Sequence, residues 1–253
     1  MWASLINGKD PLVLPPRITS DVYRGLVKSV DLITSRVMVK QTDIMVSGFC
    51  NLEEETKELV LRYRRQIEEY IISHPIFEKT FAPLRRDPFA PEIVNTMIEA
   101  ATRAFVGPMA SVAGAIAEYV GLGLLSYSRD VIVENGGDIF IKTSVKRELL
   151  LLAESSDIRA LRIAIPPSPR SIGVCTSSGK SGHSFSFGKA DAVTVIGPSP
   201  SLADAAATAI ANLIENPSDI QKGIRRSQEL GVHGVIILVE GHVGLWGQME
   251  LLN

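Results

Sequence analysis

This sequence of 253 residues contains few cysteines and has no large excess of positive or negative charge. Cys50 and Cys175 are its only cysteines, and they lie far apart and outside any CxxC spacing. The sequence therefore predicts neither a disulfide framework nor a zinc site, and it favours a reducing, cytoplasmic setting. Because 26 basic residues balance 28 acidic ones, the formal charge is only -2. Such a chain has no field that would attract DNA or an anionic membrane, so nucleic acid is not expected as a partner.

Long hydrophobic runs are also missing. The purely apolar runs at 149–153 and 235–239 are far shorter than the roughly 20 residues of a membrane span. The first residues, MWASLINGKDPLVLPPR, lack the basic start and sustained apolar core of a signal peptide. We therefore expect no membrane span and no export. What the chain does have is 45% hydrophobic residues, enough for a substantial core in one large domain or two small ones.

Strand and helix signals mix along the chain without regular alternation. β-branched and polar residues alternate between 22 and 48, which predicts two strands. Helical patterns follow at 51–75, 92–105, 108–125, 201–214 and 218–230. Because several connections resemble hairpins, the sequence predicts an α+β fold with a largely antiparallel sheet packed by helices. The closing segment 234–252, which contains Trp246, either completes this sheet or forms a contact in a homo-oligomer.

Two glycine-containing segments are candidates for phosphate binding. Ser178-Gly179-Lys180-Ser181 resembles the end of a P-loop, but Val174 stands where that motif needs its first glycine. A nucleotide triphosphatase is therefore not predicted. The other segment, Asn135-Gly136-Gly137-Asp138, exposes backbone N–H groups and lets a ligand approach closely. Two glycines equally suit a tight hairpin, and the sequence leaves both interpretations open.

A helical segment at 201–208 carries the strongest candidate metal ligands. Asp204 lies in its first turn, and Thr208 follows one turn later on the same face. These two oxygen ligands are enough for Mg²⁺ when a bound phosphate supplies others. In the alternative interpretation, Ser201 is the N-cap and Asp204 completes a capping box. Elsewhere, His183 lies in a polar, glycine-flanked setting and is either a general base or a surface histidine.

Three motifs in order resemble the ApbE family, the FAD:protein FMN transferases, over roughly residues 105–215. Residues 133–139 (VENGGDI) are similar to the family's Gly-Gly-Asp-Ile strand end, and 174–179 (VCTSSG) to its Thr-Ser-Gly segment. Residues 203–209 (ADAAATA) are similar to Ala-Asp-Ala-x-x-Thr-Ala, whose Asp and Thr bind magnesium beside the FAD pyrophosphate. The resemblance implies a single domain over residues 1–253. It also implies cleavage of FAD, with the FMN half joined to a threonine of an acceptor protein.

The resemblance assigns roles to individual residues. Asp204 and Thr208 would be the magnesium ligands, and His183 would be the catalytic residue. The residues that bind FAD would be Asn135, Gly136, Gly137, Asp138, Thr176, Ser177 and Gly179. Within the wider family, residues 107–118 (GPMASVAGAIAE) are most similar to a largely archaeal group of ApbE-related proteins.

Departures from the family pattern support a second hypothesis. Ala113-Gly114 replaces the family's Lys-Gly step, and Glu118 stands where an Asp is usual. The segment after His183 also lacks the Asp-Pro of the family's His-Ile-x-Asp-Pro. These features are consistent with a non-catalytic accessory or ligand-sensing protein, for example in sulfur metabolism. Cys175 would then offer a thiol beside the site, although a small buried strand residue is the plainer interpretation.

Overall fold

A computed structural model describes residues 31–152, 160–178 and 187–252. The strands are β1 (Ile33–Val39), β2 (Thr42–Gly48), β3 (Val131–Asn135), β4 (Asp138–Lys142), β5 (Arg147–Leu152), β6 (Ala160–Ile165), β7 (Ile172–Ser177), β8 (Ala192–Gly197), β9 (Gly234–Val239), β10 (His242–Gly247) and β11 (Glu250–Leu252). The α-helices are α1 (Glu53–Ser73), α2 (Ile76–Lys79), α3 (Glu92–Ala104), α4 (Val112–Leu124), α5 (Pro200–Ala211) and α6 (Ile220–Leu230). Short 3-10 helices, Pro108–Ser111 and Pro217–Asp219, precede α4 and α6. The predicted site residues Gly179 and His183 lie outside the described residues.

The described strands form one large and one small sheet. The large sheet has the order β1-β2-β3-β4-β7-β8-β9-β10, and each neighbouring pair is antiparallel. The small sheet, β11-β6-β5, is also antiparallel. This arrangement confirms the predicted α+β class with a largely antiparallel sheet. Strands β9 and β10 complete one edge of the large sheet, so the segment containing Trp246 finishes the sheet.

Side-chain alternation gives the large sheet two apolar faces. Val133, Phe140 and Val195 lie on the face that packs against the helices α1, α3, α4 and α5. Ile141 and Ile236 lie on the opposite face, which packs against the small sheet. The core is therefore split between a helical side and a sheet side. The face on which a strand residue lies decides which partners it can meet.

Helix α5 begins two residues earlier than its predicted capping box requires. Ser199 is the N-cap, with its Oγ accepting the Leu202 N–H at 3.4 Å, and Pro200 occupies the first helical position. Proline is favoured there because the first N–H of a helix has no partner within the helix. The interpretation in which Ser201 caps the helix and Asp204 completes a capping box is therefore wrong.

Before the first glycine turn, helix α1 has 21 residues and is largely exposed, whereas α3 has 13 residues and is mostly buried. No single helix in the described ranges is long and apolar enough to span a membrane. Helix α3 and the segment Pro108–Leu124 meet that criterion only as a pair, by length and composition, and they are bent by 102°. The bend lies between Ala104 and Pro108, where the predicted helix 108–125 opens as a 3-10 turn and continues as α4.

Candidate functional site

The glycine turn joins β3 and β4 as a two-residue hairpin. Asn135 pairs with Asp138, and Gly136 and Gly137 between them have φ angles of 64° and 103°. Two consecutive residues with positive φ are the requirement of the type I′ turn, which explains both glycines by conformation. The Gly137 N–H donates to Glu134 Oε1 at 2.8 Å. A Cβ atom at either glycine would meet nothing within 4 Å, so close approach of a ligand to this turn stays a prediction.

Strand alternation sorts the predicted site residues between the two faces of the sheet. Asn135 and Asp138 share the helical face with Val133 and Phe140. Ser177 shares that face with Cys175, which belongs to the core around α5. These three predicted site residues are therefore brought together.

Thr176 points to the opposite face of the sheet. Its strand neighbour Val174 belongs to the core beside the small sheet. The Thr176 and Thr194 hydroxyls are hydrogen-bonded across β7 and β8 at 2.8 Å. The structure thus separates the Thr176 hydroxyl from the Ser177 hydroxyl, although the two residues are adjacent in the sequence.

The carboxylate of Asp204 caps a different helix from its own. Its Oδ2 accepts the Gly114 N–H at 2.9 Å, and the Ala113 N–H also hydrogen-bonds to this carboxyl. Both donors lie in the first turn of α4, where backbone N–H groups have no partner within the helix. Asn135 also contacts the first turn of α4, because its Nδ2 donates to the Ala113 carbonyl at 3.0 Å.

A second carboxylate forms the corresponding contact in the opposite direction, from α4 to α5. Glu118 Oε2, on α4, accepts the Ser201 N–H at 3.1 Å and the Ser201 hydroxyl at 2.6 Å. Each helix therefore provides the carboxylate that caps the first turn of the other. We call the two contacts, Glu118 with Ser201 and Asp204 with Gly114, the reciprocal caps. The local sequence around Glu118 and Gly114 does not predict this pairing, because the partners lie 83 and 90 residues away.

The helices approach closely enough that residue 114 must be glycine. A Cβ atom on Gly114 would lie 2.5 Å from the Pro200 carbonyl oxygen and 2.8 Å from Asp204 Cβ. On the other side of α5, a Cβ on Gly173 would overlap the backbone of Pro200. The first turn of α5 is therefore held between α4 and β7, and this fixes the position of Asp204.

The two buried carboxyls of the site have raised pKa values. Burial raises the pKa of Asp204 from 3.8 to about 7, although the hydrogen bonds from Gly114 and Ala113 lower it. Burial likewise raises the pKa of Asp138 well above 3.8, and the nearby Asp204 carboxyl adds to the rise. Two carboxyls that share a buried site cannot both ionise without a large cost. A bound cation would reverse this preference.

Three buried oxygen atoms near these carboxyls have no hydrogen-bond partner among the described residues. They are Asp138 Oδ1, Ser177 Oγ and Thr208 Oγ1. Unpaired buried polar atoms are uncommon, and each normally has a structural or functional cause. We call Asp138, Ser177, Asp204 and Thr208 the oxygen cluster. Thr208 lies one turn after Asp204 on α5, and Ser177 lies two residues after Cys175 on the same face of β7.

The oxygen cluster fits a hard cation better than a soft one. Its members offer carboxylate and hydroxyl oxygens, which Mg²⁺ prefers, and few protein ligands are needed when a phosphate supplies the rest. No group of three or more His, Cys, Asp or Glu side chains able to hold a metal occurs within 31–152, 160–178 and 187–252. The unpaired oxygen of Thr208, one turn after Asp204, is the observation that agrees best with a magnesium ligand.

Cys175 is a buried strand residue. Its side chain is fully buried, and its thiol donates to the Pro200 carbonyl at 3.4 Å. Burial raises the pKa of this thiol well above 9.0, and the nearby Asp138 and Asp204 carboxyls raise it further. Because thiolate is the reactive form, this setting disfavours thiol chemistry at Cys175.

Comparison with known proteins places this chain among sequences of similar length. A family model described as "AbpE bacteria" matches residues 26–239. The UPF0280 protein of Methanococcus aeolicus is 36% identical over 229 residues, which cover 88% of this chain and 90% of that relative. The UPF0280 protein of Methanocaldococcus jannaschii is 37% identical over 228 residues, covering 86% of this chain and 91% of that relative.

Solved structures show the same fold at much lower identity. The apo form of the flavinyl transferase ApbE from Pseudomonas stutzeri has a TM-score of 0.56 at 15% identity, covering 87% of this chain and 94% of the other. The ApbE protein of Thermotoga maritima has a TM-score of 0.54 at 14% identity, covering 87% and 96%. At such low identity the likeness establishes the fold alone.

Proposed function

Because the chain belongs to the UPF0280 family and has the ApbE fold, we propose that it binds FAD with Mg²⁺ and cleaves the FAD pyrophosphate. Asp204 and Thr208 are the proposed magnesium ligands. Asp138 and Ser177 hold the phosphates beside them, and Asn135, Gly136 and Gly137 form the nearby wall. The single observation that carries the proposal is the buried, unpaired Thr208 oxygen one turn from the buried Asp204 carboxyl.

The side chains of this site bind and orient the ligand. The Gly114 N–H holds Oδ2 of Asp204, and the proposed cation contact is made by Oδ1 of the same carboxylate. Ser177 Oγ can donate a hydrogen bond to a phosphate oxygen, and Asp138, whose pKa is raised by burial, can donate one as the protonated acid. When bound, magnesium would neutralise negative charge on the phosphates. Burial excludes water, which strengthens each of these contacts.

The reaction follows from the chemistry of the ligand. An acceptor hydroxyl, from a protein side chain or from water, forms a bond to the phosphorus of the FMN half. The bond from that phosphorus to the bridging oxygen breaks, and AMP leaves with the bridging oxygen. The acceptor hydroxyl loses its proton, and His183 is the residue that the family resemblance assigns to this step. His183 lies outside the described residues, so its role rests on the resemblance.

A second candidate function is binding without turnover. Ala113 stands where the family has lysine, and in the structure its carbonyl accepts a hydrogen bond from Asn135. Position 113 therefore supplies no cationic side chain to stabilise charge during the reaction. This observation favours an accessory or ligand-sensing protein that retains the site but has lost the reaction.

The two candidates are separated by measuring binding and turnover together. Purified protein is mixed with FAD, with and without Mg²⁺, while calorimetry follows binding and chromatography follows the release of AMP and FMN. Asp204→Asn and Thr208→Val should each abolish magnesium-dependent binding. Ser177→Ala removes the hydroxyl that is proposed to bind phosphate. Its matched control is Thr176→Val, which removes a hydroxyl from the opposite face of the sheet.

Each outcome decides between the candidates. Binding with release of AMP, both lost in Asp204→Asn, supports the enzyme. Binding without product over many hours supports the sensor. If the wild-type protein binds FAD equally well with and without Mg²⁺, the metal assignment is wrong.

A further inference from the structure

Two exposed phenylalanine rings contact each other outside the core. The rings of Phe81 and Phe187 are 5.2 Å apart between centroids, at an interplanar angle of 72°. Each side chain is 66% exposed, and neither belongs to a hydrophobic core cluster. Single exposed apolar residues are ordinary, but an exposed patch of contacting aromatic rings can mark a ligand-binding or interaction surface.

Phe187 is attached to the end of α5 that carries Thr208. Its N–H donates to Asn212 Oδ1 at 2.7 Å, and the Asn212 N–H donates to the Thr208 carbonyl at 3.0 Å. The next residue, Gly188, lies so close to α5 that a Cβ atom there would overlap the Ala211 carbonyl. The backbone of Phe187 is therefore fixed within about one helical turn, or ~6 Å along the axis, of the oxygen cluster.

Phe81 reaches the same place from the other helix. A Cβ atom on Gly107 would overlap the Thr80 carbonyl, so the segment containing Phe81 lies against Gly107. Gly107 directly precedes the 3-10 helix that leads into α4. Because Glu118 lies beside Ser201 and Gly114 beside Asp204, α4 and α5 run in opposite directions. Gly107 is consequently level with the end of α5, where Phe187 is bound.

A third phenylalanine on this edge has an unfavourable backbone conformation. Phe105, two residues before Gly107, is the C-cap of α3 with a φ of 63°, and its side chain is 77% exposed. Glycine or asparagine normally occupies such a left-handed position, because a bulky side chain is strained there. The exposed phenyl ring of Phe105 therefore does not compensate for this strain by packing in the core.

We propose that Phe81 and Phe187 form the binding surface for the dimethylbenzene end of the isoalloxazine ring of FAD. The inference rests on the proposed function, because it needs the FAD phosphates at the oxygen cluster. The ribityl chain between phosphate and ring can bridge the separation along α5. The two phenyl rings offer apolar contact and no hydrogen bonds, so they suit the apolar edge of the flavin better than its polar edge or adenine.

The test compares ligands that share phosphates but differ in their ring. Phe81→Ala and Phe187→Ala are compared with Phe89→Ala, a control that removes a 94% exposed phenylalanine from a loop. Magnesium-dependent binding of FAD and of ADP is measured by calorimetry, and the visible absorption band of the flavin is recorded on binding. Both test variants should bind FAD about 5- to 100-fold more weakly, the range for loss of one stacked ring, and bind ADP as the wild type does. Phe81→Tyr should restore FAD binding.

Several results would overturn the aromatic surface. If FAD binding is lost in Asp204→Asn but unchanged in both alanine variants, the phosphate site stands and the aromatic surface is wrong. Equal loss of FAD binding and ADP binding would show that the rings have only a structural role. Unchanged FAD binding with an altered sedimentation mass would identify a self-association surface instead. If the wild-type protein binds ADP but not FAD, the assignment of a flavin ligand is wrong. If it binds neither, the assignment of the phosphate site is wrong as well.

Discussion

The raised pKa of Asp204 makes the stability of the metal-free protein depend on pH. An aspartate in the unfolded chain titrates near 3.8, whereas Asp204 in the folded chain titrates at about 7. Between these values the folded state holds a proton that the unfolded state has lost. The free energy of unfolding is therefore greatest below the unfolded pKa and falls as the pH rises through the folded pKa.

The size of the effect follows from the difference between the two pKa values. At 1.36 kcal/mol per unit, the difference of 7 minus 3.8 corresponds to about 4 kcal/mol in total. Roughly 3 kcal/mol of this lies between pH 5 and pH 8. Asp138 changes stability in the same direction and interacts with Asp204, so the difference between the wild type and Asp204→Asn includes the interaction between the two carboxyls. Asp204→Asn keeps the shape and an acceptor for the Gly114 N–H but cannot ionise.

Urea unfolding, in buffer containing a metal chelator, is the appropriate assay. The free energy of unfolding is measured for the wild type and Asp204→Asn from pH 5 to pH 8, with the exposed Glu58→Gln on α1 as control. We expect the variant to gain about 3 kcal/mol relative to the wild type as the pH rises. A difference that does not change with pH would refute the argument that Asp204 is a buried, neutral acid in the metal-free protein.

Three further predictions concern the packing around the site. Gly114→Ala should lower the free energy of unfolding by about 1–3 kcal/mol, because its methyl group would press on Pro200 and Asp204; a neutral result in urea unfolding would contradict the close helix contact. Gly137→Ala should cost about 1–2 kcal/mol because of the left-handed turn, and an unchanged melting temperature would contradict it. A thiol reagent should label exposed Cys50 and leave Cys175 unmodified in the native protein, and rapid reaction of two thiols would show that Cys175 is accessible.

The helical placement of Asp204 and Thr208 can be predicted from the sequence, whereas the partners of these side chains cannot. The spacing of Asp204 and Thr208 predicts one helical face, and the structure has them on one buried helix. The predicted helix starts at Ser201, whereas the observed N-cap is Ser199. Pro200 is the sequence signal for the earlier start, because proline is favoured at the first helical position. The resemblance to the Thr-Ser-Gly segment assigns Thr176 and Ser177 to one ligand, but a strand directs adjacent side chains to opposite faces. The contact between Asp204 and Gly114 joins distant segments, so no local pattern could reveal it.

The reciprocal caps constrain how this site can change during evolution. A carboxylate at position 204 has hydrogen-bond donors only while the first turn of α4 lies beside it with free N–H groups. A side chain at position 114 would push the two helices apart. Ser201 depends in the same way on an acid at position 118. Among relatives, these four positions should therefore be kept or exchanged as linked pairs. A lineage that loses the acid at position 118 should also lose its requirement for serine at position 201.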